Sequence, residues 1–394
     1  MSSRRGTAII VAADSVGALA AIRSLGRIGA RVIAVHPAQK AVGFRSRFAE
    51  PWICPDPTSD EVGFIESLLA LAEKLREPVP IFAVADPHLD AIARNYARLK
   101  DRFVFPFADG ETLERLRNKR FQAAAAAAAG ISTPQTVDRP AADLTFPVIV
   151  KSSDSARFVQ AFGVKGFRCD SLEELEEVFE RARKLSPIVQ EWIPGPDRDL
   201  YLVGAYLSLG GEPLGVVTCR KLKQFPPEIG TIRVGEAFPV PALAERAVAF
   251  LQAAECYGPS DVEFKLDARD GEFKFIEVNP RLVQWQGLAA AAGVDLAEIA
   301  YRDLTHSRAK PVRQTGEVKR WAITFLTGSG HERPGLSGSG PAMARLPYVD
   351  AVFALDDPWP SVVQFGHLVR GLSRRLMQPA SPAAPPRDES DTTD

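Results

Sequence analysis

The first hundred residues alternate short apolar runs with amphipathic stretches, and this alternation limits the fold more than any other feature. The run TAIIVAAD precedes a helical stretch from Ser15 to about Gly29, and a second apolar run, ARVIAVHP, follows it. The same order repeats in VPIFAVAD, PHLDAIARNYARL and FVFPF. Strands that alternate with helices predict a parallel sheet covered by helices. We therefore expect an α/β domain over residues 1–108.

A sheet of this kind could bind a dinucleotide, as in an NAD-dependent oxidoreductase. The turn after the first strand, VAADSVGALA, contains one glycine where the dinucleotide fingerprint needs three. The second strand ends in His36, where that fingerprint expects an acid for a ribose hydroxyl. These residues argue against an oxidoreductase, and a lack of NAD(H) affinity would exclude one.

Composition sets the number of domains and argues against several partners. A chain of 394 residues exceeds the size of one hydrophobic core, so two or three domains are expected. Its 48 Lys and Arg against 49 Asp and Glu leave a formal net charge of -1, which would not recruit nucleic acid or an anionic membrane. The start, MSSRRGTAIIVAAD, has no signal-like apolar region, and no run reaches the roughly 18 apolar residues of a membrane span. The four cysteines and five histidines show no metal-ligand spacing. We expect a cytoplasmic protein with free thiols.

A second series of elements begins near Asp109. The stretch DGETLERLRNKRFQAAAAAAAGISTP predicts a helix that ends before Gly130. The strands FPVIVK and SPIVQEWIPG flank a helix that Ser171 opens, and LYLVGAYLSL and EPLGVVTCRKL form a hairpin joined at Gly210-Gly211. The Gly/Ser-rich TGSGHERPGLSGSGP predicts a loop, and the tail from Pro379 predicts disorder because it has little that could pack.

The segment DVEFKLDARDGEFKFIEVNPR predicts a hairpin with an unusual polar face. The Asp-Gly pair at 270–271 separates two alternating runs, which is a strong turn signal. In a hairpin centred on Asp270, Glu263 lies directly opposite Glu277, and Phe264 lies opposite Ile276. Cross-strand partners have Cβ atoms about 5 Å apart. We therefore expect two carboxylates to face each other.

Facing carboxylates destabilise a hairpin unless they share a proton or hold a cation. Asn279 lies two residues after Glu277, so the side chains of both residues point to one face of the strand. Two carboxylates and an amide oxygen suit Mg²⁺, which prefers oxygen donors and is often shared with substrate phosphates. The alternative, in which Glu263 and Glu277 are solvated on an open sheet face, stays open at this point.

Five short segments together resemble the ATP-grasp superfamily, especially its carboxylate-amine ligases and relatives of the carbamoyl-phosphate synthase large chain. The segments are VEF, FIEVNPR, RNKRF, VIVK and VQEWIPG. The resemblance implies a Rossmann-like domain followed by a two-subdomain ATP-grasp fold, α/β first and α+β in the grasp. The implied boundaries are 1–108 for the first domain, 109–309 for the grasp with subdomains 109–191 and 192–309, 310–378 for a C-terminal extension and 379–394 for the tail.

The resemblance also implies roles for individual residues. Glu263, Glu277 and Asn279 would hold Mg²⁺ or Mn²⁺, and Lys119 and Lys151 would reach the ATP phosphates. The adenine edge would be read by the backbone of Glu191, Trp192 and Ile193, and Asp199 would bind the ribose, with Asp197 equally available. Arg281 would meet the transferred phosphoryl group, and Arg220 or Lys221 would contact phosphate or substrate.

One segment departs from the family pattern. The loop over the phosphates is usually glycine-rich, but KSSDSARFVQAFGVKGFRCD contains only Gly163 and Gly166 between its strands. Its phosphate-binding residues therefore stay unassigned. Trp285 and Gln286 could line the acceptor pocket or pack beneath it.

The resemblance implies an ATP-dependent, ADP-forming ligase that joins a small-molecule carboxylate to an amine through an acyl phosphate. The substrates could also be amino acids or peptides, and a homodimer is possible. Two alternatives stay open: a carboxylase or phosphotransferase of the same fold, and a catalytically silent nucleotide-binding regulatory protein.

Overall fold

The computed structural model describes residues 6–75, 77–152, 155–305, 309–323 and 348–364. The predicted Gly/Ser-rich loop and the predicted disordered tail lie outside these residues.

The N-terminal part is the parallel α/β unit that the alternating pattern predicts. Its strands are β1 (Thr7–Val11), β2 (Arg31–His36), β3 (Ala49–Ile53), β4 (Val79–Ala83) and β5 (Phe103–Val104). All pair in parallel, in the order β3-β2-β1-β4-β5. Its helices are α1 (Val16–Arg27), α2 (Glu61–Leu75), α3 (Asp86–Arg94) and α4 (Tyr96–Leu99). Because the strands are parallel, the loops that precede α1 and α3 meet at one edge of the sheet.

The segment predicted as one helix after Asp109 is two helices, α5 (Gly110–Arg117) and α6 (Lys119–Ala128). The break lies at Asn118, whose extended backbone ends α5 and whose side-chain oxygen accepts hydrogen bonds from the N–H groups of Arg120 and Phe121. An asparagine at such a position satisfies backbone donors that a helix start leaves unpaired. Lys119 is consequently the first residue of α6.

A small antiparallel sheet follows. It contains β6 (Thr136–Val137), β7 (Val148–Ser152), β8 (Phe167–Cys169) and β9 (Pro187–Glu191), in the order β6-β9-β7-β8. Its helices are α7 (Ser155–Phe162) and α8 (Leu172–Ala182). Ser171 caps α8 as predicted, since its side chain accepts a hydrogen bond from the N–H of Glu174. The segment that the family pattern makes a glycine-rich loop contains α7 instead, which ends at Gly163, where φ is +73°.

The largest sheet carries most of the remaining chain. Its strands are β10 (Leu200–Leu207), β11 (Pro213–Phe225), β12 (Thr231–Ala237), β13 (Gly258–Leu266), β14 (Phe273–Asn279), β15 (Val312–Arg313), β16 (Lys319–Ala322) and β17 (Tyr348–Asp350). Their order is β14-β13-β10-β11-β12-β16-β17, and β15 pairs with β11. Its helices are α9 (Pro241–Ala253), α10 (Gln286–Ala291) and α11 (Leu296–Leu304). The sheet continues past residue 309, so it does not end at the boundary expected there.

The β13–β14 hairpin has the predicted register at its two acids but not along its whole length. Glu263 pairs with Glu277, as expected for a turn centred on Asp270. Phe264 pairs with Phe275 rather than with Ile276, so that part of the prediction is wrong. A β-bulge at this point adds one residue to β14 and shifts the register by one.

The two faces of the large sheet pack against different partners. One face packs on α6 and α9, through side chains such as Phe250 and Phe264. The other face packs on α1, α10 and α11 around Trp285, which is fully buried. The contact with α1 is tight, because a Cβ atom at Gly17 would lie 2.7 Å from the carbonyl oxygen of Val283.

The segment that carries β17 folds back onto the N-terminal unit. The Asp357 carboxylate accepts hydrogen bonds from Arg23 Nε, Ser46 Oγ and the backbone N–H of Arg47, each at 2.8 Å. The side chains of Arg23 and Asp357 are 5% and 1% exposed. This buried ion pair joins the last described segment to the first helix.

Candidate functional site

An open cleft with an empty volume of about 950 Å³ lies between the large sheet and the N-terminal unit. The first residues of α3 line the cleft on the side of the N-terminal unit, and the junction between α5 and α6 lines it next to them. The polar faces of β11, β13 and β14 form the opposite side. The charged residues that line it are Asp86, Arg117, Lys119, Lys165, Lys221, Asp261, Glu263, Glu277 and Arg281. The cleft therefore combines five cations with four acids.

The two opposed acids of the hairpin each hold a lysine. Lys119 Nζ donates to Glu277 Oε2 at 2.8 Å, and Lys221 Nζ donates to Glu263 Oε2 at 2.9 Å. The Coulombic attraction of Lys119 is the largest influence on Glu277 and lowers the pKa of its carboxyl group. Burial has the largest single effect on Lys221 and would lower its pKa, but the attraction and hydrogen bond to Glu263, together with attraction to Glu277 and Asp261, raise the pKa. A lysine thus compensates the charge of each acid.

Lys151 adds a buried cation behind this pair of acids. It lies near the end of β7 and is 8% exposed. Burial, followed by repulsion from Lys119, lowers the pKa of Lys151 to about 7. Lys165, which precedes β8, faces the same acids, because its charge contributes to the low pKa of Glu277.

Arg281 lies at the junction of the two units. Its Nε donates to Asp86 Oδ1 at 2.5 Å, and Asp86 is the first residue of α3 in the N-terminal unit. Burial has the largest single effect on Asp86 and would raise its pKa, but the charge and hydrogen bond of Arg281, together with the charge of Arg117, lower the pKa. The planar guanidinium is suited to bidentate binding of an anion such as phosphate.

A further acid, Asp261, lies on the same face of β13 as Glu263 and pairs across the strands with Asn279. Its carboxylate accepts a hydrogen bond from Trp285 Nε1 at 3.3 Å. Burial, then repulsion from Glu263, raises the pKa of Asp261 to about 7. Trp285 thus packs below the cleft, and Gln286 is also buried, donating to Asp295.

The donor set of Glu263, Glu277 and Asn279 fits a divalent cation that prefers oxygen. In the described residues no cluster of three or more His, Cys, Asp or Glu side chains could hold a metal. A Mg²⁺ site needs no such cluster, because it commonly uses one or two carboxylates together with phosphates and water. Two facing carboxylates and an amide that line an open cleft satisfy this description.

The predicted adenine-reading segment lies where β9 ends, and part of its backbone is already hydrogen-bonded. The N–H of Glu191 donates to Gln135 O at 2.8 Å, and that of Trp192 donates to Pro147 O at 3.2 Å. Ile193 is buried, and its N–H is the one of the three without a backbone acceptor among the described residues. Of the three N–H groups predicted to read the adenine edge, only that of Ile193 is therefore available among the described residues, together with the backbone carbonyl groups.

The two acids considered for the ribose, Asp197 and Asp199, differ in their hydrogen bonds. The Asp197 carboxylate accepts hydrogen bonds from Gln224 N at 3.0 Å and Gln224 Nε2 at 2.7 Å. Asp199 has no such bond within the described part of the chain, and its charge faces buried Lys265. Asp199 is therefore the more available of the two.

The predicted residue Arg220 does not reach the cleft. Neighbouring residues of a strand point to opposite faces, so Lys221 faces the hairpin acids while Arg220 faces away. Arg220 Nη2 instead donates to Glu236 Oε1 at 2.8 Å, and its guanidinium lies over the ring of Phe238. Of the two residues that the sequence left open, the structure brings Lys221 alone to the acids.

Sequence reasoning missed Asp86, Lys165 and Asp261. Asp86 had a usable signal, because it follows the apolar run of β4 and so had to lie at the carboxyl edge of a parallel sheet. Asp261 had one too, because it lies two residues before Glu263 and therefore on the same face of the strand. Lys165 had none, since its position depends on how the small sheet packs.

Comparison with known proteins places the chain among nucleotide-dependent enzymes. Residues 239–304 match the family model described as the ATP-binding domain of the carbamoyl-phosphate synthase L chain. A D-aspartate ligase of Enterococcus faecium is 25% identical over 282 residues, which cover 66% of this chain and 67% of that protein.

Two solved structures share the fold. An L-amino acid ligase of Bacillus licheniformis superposes with a TM-score of 0.60 at 18% identity, covering 84% of this chain and 82% of that one. The biotin carboxylase domain of the 2-oxoglutarate carboxylase of Hydrogenobacter thermophilus, solved with MgADP, ADP and bicarbonate, superposes with a TM-score of 0.61 at 16% identity, covering 81% and 74%. The described residues contain no helix with the length and apolar character that a membrane crossing requires.

Proposed function

We propose that the chain is an ATP-grasp enzyme, specifically an ADP-forming ligase that joins a carboxylate to an amine. One observation carries the proposal: two carboxylates face each other across a hairpin, in a cleft that Lys119, Lys221 and Arg281 line with positive charge. Such an arrangement suits a phosphoryl group that moves between two oxygen atoms.

The proposed reaction has two steps. In the first, a carboxylate oxygen of one substrate attacks the γ-phosphorus of ATP, the bond to the β,γ-bridging oxygen breaks, and ADP leaves. In the second, an uncharged amine attacks the carbonyl carbon of the acyl phosphate, the carbon–oxygen bond breaks, and inorganic phosphate leaves. The amine enters as an ammonium ion and loses two protons overall, one of which the phosphate product carries while the other is released to solvent. The protein need not supply a nucleophile.

The residues of the cleft divide between these steps. Lys119, Lys151 and Lys165 supply positive charge toward the phosphates, and Arg281 is placed to meet the transferred phosphoryl group. Glu263, Glu277 and Asn279 would hold Mg²⁺ or Mn²⁺, which when bound neutralises charge on the ATP phosphates. Lys221 would be released from Glu263 to contact phosphate or the substrate carboxylate.

The adenosine would lie toward the small sheet. Ile193 with the carbonyl groups at residues 191–193 would read the adenine edge, and Asp199 would bind the ribose. Lys151, on strand β7 of the small sheet, interacts through its charge with the hairpin acids Glu277 and Glu263.

Relatives favour amino acids as substrates. The curated relative is named a D-aspartate ligase, and one structural neighbour is named an L-amino acid ligase. We propose that at least one substrate of this chain is an amino acid.

A carboxylase of the same fold is the second candidate, because one neighbour was solved with bicarbonate. Hydroxylamine separates the two functions, since it converts an acyl phosphate of an amino acid into a stable hydroxamate. A silent nucleotide-binding protein would produce neither a hydroxamate nor ADP.

The first test needs no knowledge of the substrates. Calorimetric titration with ATP, with and without Mg²⁺, should show binding that Mg²⁺ strengthens. In Glu277→Gln the Mg²⁺-dependent gain should fall at least about tenfold, because a ligand charge at the phosphate end is lost.

The matched control is Glu272→Gln, which removes an acid from the exposed turn of the same hairpin. It should bind ATP like the wild type. Folded wild-type protein that binds no ATP would contradict the proposal, as would full Mg²⁺ dependence in Glu277→Gln.

A further inference from the structure

The cleft holds more acids than the proposed metal chemistry uses. Its described lining contains four: Asp86, Asp261, Glu263 and Glu277. With Glu263 and Glu277 assigned to the metal, Asp86 and Asp261 remain. An acid that lines a substrate cleft without holding a metal is suited to bind a cation of the substrate, and the proposed reaction requires one, an ammonium group.

The two remaining acids differ in how well a ligand could reach them. Asp261 is 6% exposed, and its carboxylate already accepts the indole N–H of Trp285. The side chain of Asp86 is 40% exposed, so an incoming group can contact it without displacing buried atoms. Asp86 is therefore the accessible acid.

The position of Asp86 fits the second step of the reaction. It is bonded to Arg281, the residue placed to meet the transferred phosphoryl group, so a group held by Asp86 lies beside the reacting atoms. Asp86 also belongs to the N-terminal unit, whereas Glu263, Glu277 and Asn279 lie on the hairpin. The two substrates can thus approach the phosphoryl position from opposite walls of the cleft.

The balance of charge around Asp86 also favours an ammonium ligand there. In the substrate-free protein, Arg281 neutralises Asp86. When the acyl phosphate engages Arg281, its negative charge competes for that guanidinium and Asp86 loses part of its compensation. A substrate ammonium beside Asp86 restores the balance, so acyl-phosphate formation would favour binding of the amine.

We propose that Asp86 binds the ammonium group of the amine substrate, which is therefore an amine protonated at neutral pH, such as the amino group of an amino acid. This inference rests on the proposed function and assigns the nucleophile to the wall formed by the N-terminal unit. Arg281 in turn keeps the Asp86 carboxylate ionised by lowering its pKa.

The test compares two nucleophiles. Hydroxylamine is largely uncharged at slightly alkaline pH and needs no ammonium site, whereas L-lysine, glycine and ammonium chloride carry a positive charge. A panel of amino acids that includes D-aspartate is first screened as the acid, with hydroxylamine and ATP, for hydroxamate formation by the wild type. The acid found is then used with each charged amine, and ADP release is measured.

In Asp86→Asn, kcat/KM for the charged amine should fall about 10- to 100-fold, because a charge-assisted hydrogen bond is lost. The hydroxylamine-dependent rate should stay within about twofold of the wild type. Asp86→Glu, which keeps the carboxylate, should recover part of the lost amine use.

The matched control is Asp101→Asn. Asp101 is exposed and precedes β5, so it lies at the amino edge of the same sheet, opposite the cleft. Equal loss of both rates in Asp86→Asn would overturn the inference, because Asp86 would then act on the common first step through Arg281. No loss of either rate would also overturn it. A wild type that forms no hydroxamate with any acid would instead overturn the proposed function, and this inference with it.

Discussion

Burial controls the protonation of Lys151 in this site. Its neighbours include both a like charge, Lys119, and the acids Glu277 and Glu263, but burial has the largest effect. The resulting pKa of about 7 for Lys151 lies far below the ordinary value of 10.5. Between these two values the unfolded chain binds a proton that the native protein does not, so stability rises with pH in this range.

We predict that Lys151→Met is more stable than the wild type at pH 7 without nucleotide, and that the difference narrows as pH rises to about 8.5. Each pH unit should recover up to about 1.4 kcal/mol for the wild type. Urea unfolding at several pH values measures the difference, with Lys184→Met, at an exposed position, as control. Parallel curves for the wild type and Lys151→Met would show that Lys151 keeps its proton.

At the level of residues, the sequence predicted which types of side chain meet in the cleft, but it did not always predict which face of a strand a side chain occupies. The facing of Glu263 and Glu277 follows from strand alternation and a turn centred on Asp270, so it could be predicted. The choice between Arg220 and Lys221 could not be made, because it depends on which face of β11 the hairpin and helices cover. Asp86 lies 177 residues before Glu263, and only the packed structure brings them into one cleft.

In the β13–β14 hairpin two carboxylates repel each other, and lysines from neighbouring elements compensate this repulsion. Two carboxylates lie directly opposite each other, and each contacts a lysine, Lys119 from α6 or Lys221 from β11. A cation at the first residue of a helix is unfavourable for the helix dipole, so Lys119 serves the hairpin rather than α6. Each lysine occupies an oxygen atom that a metal would need.

We predict that Lys221→Met binds Mn²⁺ about tenfold more tightly than the wild type in the absence of nucleotide. The metal no longer displaces an ammonium group, and it relieves the repulsion that the substitution leaves between the acids. Titration followed by electron paramagnetic resonance of free Mn²⁺ gives the affinity. Thermal unfolding should show a less stable metal-free variant that Mn²⁺ restores.

Lys274→Met is the control for this hairpin, since Lys274 pairs with Asp270 in the turn, away from the acids. It should leave Mn²⁺ affinity unchanged. A folded Lys221→Met with wild-type affinity for Mn²⁺ would contradict competition between lysine and metal.

Elements were predicted well where a pattern is local and less well where it depends on packing. The strand–helix alternation of the first sheet, the hairpins β10–β11 and β13–β14 and the cap at Ser171 were predicted from the sequence. The strands β3, β6, β8, β12 and β15 to β17 were not predicted. The break at Asn118 lies between two stretches of good helix formers, so propensity alone does not reveal it. The bulge at Ile276 had a signal that the prediction did not use, because the apolar positions of the run shift from Phe273 and Phe275 to Ile276 and Val278.

The whole molecule is held together by the segment 348–364 as well as by the central core. This segment adds β17 to the large sheet and inserts Asp357 between Arg23 and Ser46 of the N-terminal unit. The sequence VFALDDPWP gave no means of assigning it, because a buried acid is recognisable only with its partners.

We predict that Asp357→Ala lowers the free energy of unfolding by about 3–5 kcal/mol, since it leaves a buried guanidinium without its partner. Asp356→Ala is a control one residue away, because Asp356 pairs with Arg27 at an exposed position, where such pairs contribute about 0–1 kcal/mol. Urea unfolding measures both. Equal effects of the two substitutions would show that the buried pair does not join the units, and ATP affinity should be unchanged in each.

The pairing of Arg23 with Asp357 also has a consequence for synthesis. The two residues are 334 positions apart, and ribosomes add about 5–20 residues per second, so Asp357 emerges roughly 15–70 s after Arg23. During this interval the N-terminal sheet can form, but the guanidinium on its first helix has no carboxylate to neutralise it. The docking of residues 348–364 is therefore a late event in the life of each new chain, and the N-terminal unit reaches its final stability only when that event is complete.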